Sequence, residues 1–253
     1  MGLCRAPQSC SLLLLLACSR PDAQLDASLY QDDGAGFGLI RPGIEVLLED
    51  SIHLVAGRRV GLITNQTGVD SSGRSSIDRI HEHPDVDLVA LFAPEHGIRG
   101  TADPGATIAD DVDVETGVPI HSLYGAVLSP TPEMLDGIDV LLVDYQDIGA
   151  RYWTYVSTMT LAMESAAEQG IPVVVLDRPN PIGGAVQGNV LDPAFATFVG
   201  RYPLAMRHGM TLGELARYYR GEVGIGVELR VAPVDGWRRD MPFAETGLPW
   251  IQP

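Results

Sequence analysis

Four short polar clusters hold the residues of this chain that are able to do chemistry: Asn65-Gln66-Thr67, Pro94-Glu95-His96-Gly97, Asp144-Tyr145-Gln146-Asp147 and Asp177-Arg178-Pro179-Asn180. Acids, amides and an arginine spread over four places suit a polar ligand with many hydroxyls, and a sugar fits them better than anything apolar. Glycoside cleavage needs an acid to protonate the leaving oxygen and a second group, base or nucleophile, to stabilise the oxocarbenium-like state. Glu95 lies in a loop where no helix requires it, beside Pro94 and near Phe92, and is the leading acid. Asp144 or Asp147 is placed to activate water. Each cluster also has a purely structural explanation. Asp144 suits the cap of a following helix, Asp147 an ion pair with Arg151 four residues on, Asp177 a salt bridge with Arg178 that holds the Pro179–Pro181 turn, and Asn65 the cap of the next turn.

The elements that must position these clusters alternate along the chain. Apolar runs at 59–64, 86–92, 138–144, 172–176 and 228–231 predict strands, and each of the first four leads into a cluster. Between them the spacing predicts a short helix over 75–83 closed by Pro84, a longer one over 154–169 stopped by Gly170, and a third over 211–220. Thr211 with Glu214 three residues on forms a capping box for that third helix. Strands that are apolar throughout are those buried on both faces of a parallel sheet. The expected fold class is therefore α/β, a Rossmann-like three-layer domain with a mostly parallel sheet. In such a sheet all four clusters fall on the carboxyl edge, where open α/β folds bind ligands. A nucleotide fits poorly, because no G-x-G-x-x-G follows the first strand.

Composition removes several function classes. The chain has 253 residues, of which 45% are hydrophobic and 20% charged, which are globular values. Its 33 acidic and 17 basic residues leave a formal charge of −16, with no basic face for nucleic acid or for anionic lipid. Every base is Arg, so Schiff-base and P-loop lysines are excluded. No G-x-S-x-G elbow supports a serine hydrolase. His53, His81 and His83 read as peripheral or solvated. His96, His121 and His208 stand near glycines, but no H-x-H or H-x-x-x-H places two ligands on one element, so neither a metal nor any other cofactor is expected.

The N-terminus reads as an address. An apolar run from Ser11 to Ala17 is far shorter than the about 20 residues a membrane span needs, and it ends in Leu15-Leu16-Ala17-Cys18, a pattern like a bacterial lipobox with Cys18 as the lipidated residue. Residues 1–18 are thus expected to be a lipoprotein-type signal and 19–38 a flexible tether, giving an exported, membrane-anchored protein of the cell envelope. Cys4, Cys10 and Cys18 are the only cysteines, so the domain that follows has no thiol to pair, and a cysteine protease or zinc–thiolate site is excluded.

The motifs, taken in order, resemble the NamZ-type exo-β-N-acetylmuramidases, glycoside hydrolase family 171, formerly a domain family of unknown function. The stretches that carry the resemblance are GLITNQTGVD (61–70), LFAPEHGIRG (91–100), TGVPIHSLYG (116–125), VDYQDIGARYWTY (143–155), VLDRPNPIGG (175–184), RHGMTLGELA (207–216) and the terminal GLPWIQP. They span roughly 39–253. The resemblance implies an exo-acting enzyme that releases N-acetylmuramic acid from the non-reducing end of peptidoglycan fragments, such as MurNAc-GlcNAc saccharides. It also implies a Rossmann-like catalytic domain, here 39–235, and a smaller α/β domain with the site in the cleft between them. Residues 236–253 would begin the connection to that second domain, which is largely absent from this chain.

By the same resemblance Glu95 is the leading catalytic carboxylate, and Asp144 and Asp147, the candidates for activating water, are carried over as cleft residues. Asn65, Gln66, His96, Gln146, Arg151, Tyr155, Asp177, Arg178, Asn180 and His208 are carried over as cleft residues. Arg178 is placed to meet the lactyl carboxylate of muramic acid. The rival is a lipid-anchored module that captures muropeptides without cleaving them, using the strand-end clusters only for hydrogen bonding.

Overall fold

A computed structural model of the protein describes residues 39–95, 97–100 and 110–253. The expected signal, the tether, Cys18 and His96 lie outside the described residues. In chain order the elements are α1 (Gly43–Asp50), β1 (Arg59–Thr64), α2 (Ser76–His81), β2 (Asp87–Ala93), β3 (Asp111–Val112), β4 (Pro119–Ser122), α3 (Pro132–Leu135), β5 (Val140–Asp144), α4 (Thr154–Gln169), β6 (Val173–Leu176), β7 (Gln187–Val190), β8 (Ala205–Arg207), α5 (Leu212–Tyr218) and β9 (Leu229–Ala232). Seven strands form one sheet in the order β3-β4-β2-β1-β5-β6-β9, and β7 and β8 form a separate antiparallel pair. Within the large sheet only β3–β4 is antiparallel.

Counting its parallel strands along the chain, β1, β2, β4, β5, β6 and β9 become strands one to six, and their spatial order is 3-2-1-4-5-6. That is the Rossmann order, and its direction reverses between β1 and β5, where Thr64 is paired with Asp144. The α/β expectation and its carboxyl-edge geometry hold.

Both faces of the sheet are buried, which explains the unbroken apolar strands. Val60, Leu62, Val140, Leu142, Val174 and Leu176 pack with α1 and α2 through Ile44, Leu47, Ile77 and Ile80. The intervening Ile63, Leu141, Val143, Val173 and Val175 pack with α4 and α5 through Met159, Met163, Leu212 and Leu215. Gly61 takes its place in β1 because a Cβ there would meet Ile138 Cδ1 at 2.8 Å.

Helix ends follow local chemistry. Ser75 Oγ accepts from the Ile77 N–H at 3.1 Å, starting α2. The Thr211–Glu214 capping box is present on α5. That helix stops at Tyr218 and continues as a π-helical turn, Tyr219–Val223, instead of running to 220 as α-helix. Gly170, left-handed at φ 68°, ends α4.

The described residues form one compact unit that includes the last eighteen residues. The C-terminal segment folds back over the strand ends. Phe243, Leu248, Pro249 and Ile251 face Thr67, Asp70, Gln146 and Arg178 across a gap of only about 10 Å³, room for about one water. The β1–β5 crevice of this topology is thereby filled by the chain itself.

Candidate active site

An open cleft of about 750 Å³ lies beside that filled crevice, at the ends of β1 and β2. Its walls are Gln66 after β1, Glu95 and Gly100 after β2, Tyr152, Trp153 and Thr154 at the start of α4, and residues 251–253. Glu95 brings the only side-chain carboxylate among these lining residues. The chain reaches this point because β2 ends at Ala93 and Pro94 turns it out of the sheet, leaving Glu95 half-buried at the rim. Thr154 Oγ1 donates to Glu95 Oε2 at 3.0 Å. Since Thr154 is the first residue of the sixteen-residue α4, the carboxylate sits at the positive end of a long helix. The Tyr124 phenol also bonds to Glu95; this bond, then partial burial and the charge of Glu95, push its pKa up, so it remains a donor.

Of the cleft-lining residues, Gln66 and Trp153 each carry a buried polar atom, Oε1 and Nε1, with no partner among the described residues, and behind them the Asn65 side chain bonds to the Tyr155 phenol. Tyr155 is fully buried, stacked edge-on with Trp153 at 5.4 Å and tilted against Tyr145 at 5.2 Å. Burial and then the Glu95 charge push its phenol well above the usual range, against a contrary pull from Asn65. Buried polar groups are nearly always satisfied, so the unpartnered Gln66 Oε1 and Trp153 Nε1 beside this carboxylate suit a polar ligand or water.

The other sequence-derived candidates are elsewhere, and several correct their expected roles. Asp144 does not face the cleft. Its Oδ1 receives Arg178 Nε at 2.6 Å and its Oδ2 receives Arg178 Nη2 at 3.0 Å and the Ser76 hydroxyl, all buried. With both oxygens engaged it cannot serve as a water-activating base. Arg178 Nη2 also donates to the Val69 carbonyl at 2.7 Å, and the side chain is buried beneath the C-terminal segment and does not line the open cleft, which does not favour its expected contact with a lactyl carboxylate. Nor does it pair with the side chain of Asp177, which accepts from Thr211 Oγ1 at 2.9 Å and the Gly213 N–H at 2.7 Å and so caps α5.

Asp147 is buried against His208, whose Nε2 lies 3.1 Å from its Oδ2, and it also accepts from the Gly149 N–H at 2.7 Å. Its expected partner Arg151 instead donates to the carbonyls of Asn189 and Leu204, each at 2.7 Å, tying β7 and β8 to the core. Gln146 joins the loops after β5 and β6 through the Asp147 and Pro179 carbonyls. Asn180 accepts from the Ile182 N–H and donates to the Met210 carbonyl. Asn65 caps the turn after β1, its Oδ1 accepting from the N–H and hydroxyl of Thr67 at 3.0 and 2.6 Å. Of the named candidates, the structure brings Glu95, Gln66, Asn65 and Tyr155 together. Among the described residues no three His, Cys, Asp or Glu side chains converge in a metal-binding group.

Residues 60–253 match the family described as "Exo-beta-N-acetylmuramidase NamZ, N-terminal". The chain belongs to this family. It is 49% identical over 215 residues to the peptidoglycan beta-N-acetylmuramidase NamZ of Bacillus subtilis, an alignment that covers 85% of this chain and 52% of that protein. A crystal structure of a DUF1343 family protein from Bacteroides fragilis superposes with TM-score 0.79 at 49% identity, covering 84% of this chain and 54% of that one. A second DUF1343 structure from the same organism gives TM-score 0.71 at 32% identity, covering 81% and 55%. The chain thus spans about half the length of these relatives.

Set against the NamZ family motifs, the cleft residues missed by sequence reasoning are Thr154, Trp153, Tyr152 and Tyr124. All four lie inside quoted motifs, GARYWTY and HSLYG, yet none is a charged or amide residue. For three of them the available signal was the Tyr152-Trp153 pair directly ahead of the start of α4 at Thr154; Tyr124 had none.

Proposed function

We propose that this protein is an exo-acting glycoside hydrolase that removes N-acetylmuramic acid from the non-reducing end of peptidoglycan fragments, with Glu95 as the proton-transferring carboxylate. The observation that carries this reading is the seat of Glu95. Among the described lining residues it alone brings a side-chain carboxylate to an open cleft; it is held by two hydroxyl donors and faces aromatic side chains. Aromatic walls suit the apolar faces of a pyranose, and the convergent polar atoms suit its hydroxyl and amide groups. Kinship to the Bacillus subtilis muramidase supports the substrate class. Thr154 and Tyr124 fix the carboxylate rotamer, and proton transfer to the glycosidic oxygen requires that fixed geometry. The same proposal includes export and anchoring through a lipid on Cys18; no helix among the described residues is long and apolar enough to cross a membrane.

The test measures release of free N-acetylmuramic acid from MurNAc-GlcNAc by the wild type and by Glu95→Gln. Release by the wild type and loss in the variant, with disaccharide binding retained, is the expected result. Disaccharide binding without release by either protein would replace the enzyme with a muropeptide-binding module. Radiolabelled fatty-acid incorporation that survives Cys18→Ala would remove the anchor from the proposal.

A further inference from the structure

We propose that Tyr152 is the platform on which the second unit of the saccharide, the one that leaves with the protonated oxygen, lays its ring. This rests on the glycosidase reading of the cleft and names the side chain that binds beyond the terminal unit. Tyr152 lines the open cleft and is 52% exposed. Its aromatic neighbours are already engaged. Tyr155 is buried with Trp153 edge-on to it, the Tyr145 hydroxyl donates to the Tyr155 carbonyl at 2.8 Å, and the Tyr124 phenol is bonded to Glu95. Among the described residues no ring packs on Tyr152 and no hydrogen bond holds its hydroxyl. Its backbone is nonetheless fixed on both sides, the Arg151 N–H donating to the Met206 carbonyl at 2.9 Å and the Trp153 N–H to the Ala150 carbonyl at 3.1 Å. An unstacked aromatic face on a held backbone is a preorganised surface for an apolar ring face.

The chain descends into the protein along this stretch. Exposure falls from Tyr152 to Tyr155, which is 1% exposed, and Thr154 between them holds Glu95 Oε2. Tyr152 is two residues from that contact, at most about 7 Å of backbone, and it lies on the solvent side of the carboxylate. An enzyme that acts from the chain end seats the terminal unit on the inner side of its acid and the leaving unit on the outer side. A pyranose on Tyr152 is therefore the leaving unit, next to the bond that Glu95 acts on, and Ile251 adds apolar surface to the same cleft.

The experiment measures binding by calorimetric titration in Glu95→Gln, which holds the saccharide uncleaved, and in Glu95→Gln combined with Tyr152→Ala or with Tyr152→Phe. The ligands are MurNAc-GlcNAc and N-acetylmuramic acid alone. Glu95→Gln is expected to bind the disaccharide roughly tenfold more tightly than the monosaccharide. Adding Tyr152→Ala should remove most of that advantage, and Tyr152→Phe, which keeps the ring, should preserve it. No advantage for the disaccharide in Glu95→Gln overturns the inference, as does an advantage that Tyr152→Ala leaves intact. Equal proportional losses for both ligands overturn it too, because Tyr152 then serves the terminal unit. A loss as large in Tyr152→Phe as in Tyr152→Ala assigns the contact to the hydroxyl and overturns the stacked ring. Binding of neither ligand removes the saccharide reading itself, and this inference with it.

Discussion

The Arg178 guanidinium grips both carboxylate oxygens of Asp144, at 2.6 and 3.0 Å, in a pair that is almost fully buried between the ends of β5 and β6. Planar two-point contact of this kind joins neighbouring strand ends as a rigid clip. The same guanidinium reaches the Val69 carbonyl after β1, so one side chain fixes three of the loops at the carboxyl edge.

Removing either partner strands the other charge in the interior. Asp144→Asn and Arg178→Met are each expected to destabilise the protein by about 3–5 kcal/mol, seen as a lower urea midpoint at unchanged slope. A loss below about 1 kcal/mol in both would show that the clip contributes nothing.

Glu95 depends on its two hydroxyl donors for its orientation. Thr154→Val and Tyr124→Phe should each lower kcat by roughly tenfold or more, since a hydrogen bond to a charged group contributes about 1.5–3 kcal/mol. KM should change little, because neither residue needs to touch substrate to act. A change confined to KM would make them substrate contacts instead.

Asp177 titrates against the fold. Burial raises its pKa above the ordinary 3.8, and the hydrogen bonds from Gly213 and Thr211 only partly offset that. A carboxyl whose folded pKa is raised favours the native state below the unfolded pKa, and that contribution is lost as pH rises through the folded value. Asp177→Asn keeps an acceptor for the α5 cap and carries no charge. The stability difference, variant minus wild type, is therefore expected to grow as pH is raised from about 3.8. Denaturant midpoints measured across pH that move in parallel for the two proteins would contradict this.

Gly149 holds the loop between β5 and α4 in a left-handed conformation, φ 79°, with Asn180 Oδ1 only 2.4 Å from where a Cβ would be. Gly149→Ala should therefore be destabilising by at least about 2 kcal/mol, the sum of backbone strain and a displaced Asn180. Thermal unfolding gives the answer directly. A neutral substitution would mean that the Asn180 turn yields at little expense.

Much of the frame was legible before any coordinates. Continuous apolar runs marked β1, β2, β5 and β6 because burial on both faces leaves no polar alternation, and Thr211 with Glu214 marked the start of α5. The short elements were not legible. β3 and β4 have two and four residues, and β7 is exposed throughout, so neither length nor periodicity sets them apart from loops.

Partner choice was the other gap. Asp147 and Arg151 have helical spacing, but residues 147–151 lie in irregular backbone, which directs the arginine to β7 and the aspartate to His208. Arg178 passes over adjacent Asp177 for Asp144 on the next strand, a choice that sheet register makes and chain proximity does not. Glu95 stood out in the sequence because nothing local explained it, and the structure places it at the open cleft. The hydroxyl and indole groups around it were overlooked because the same residue types pack ordinary cores.

The filled crevice over β1 and β5 separates two places that nucleotide-binding versions of this topology combine, the stiff centre of the sheet and the point where solvent enters. Here the centre is a keystone of internal bonds, and the wet opening lies on its flank, against a single helix start. The rigid part of the fold and its solvent-filled cleft are therefore separate, and a change at one need not disturb the other.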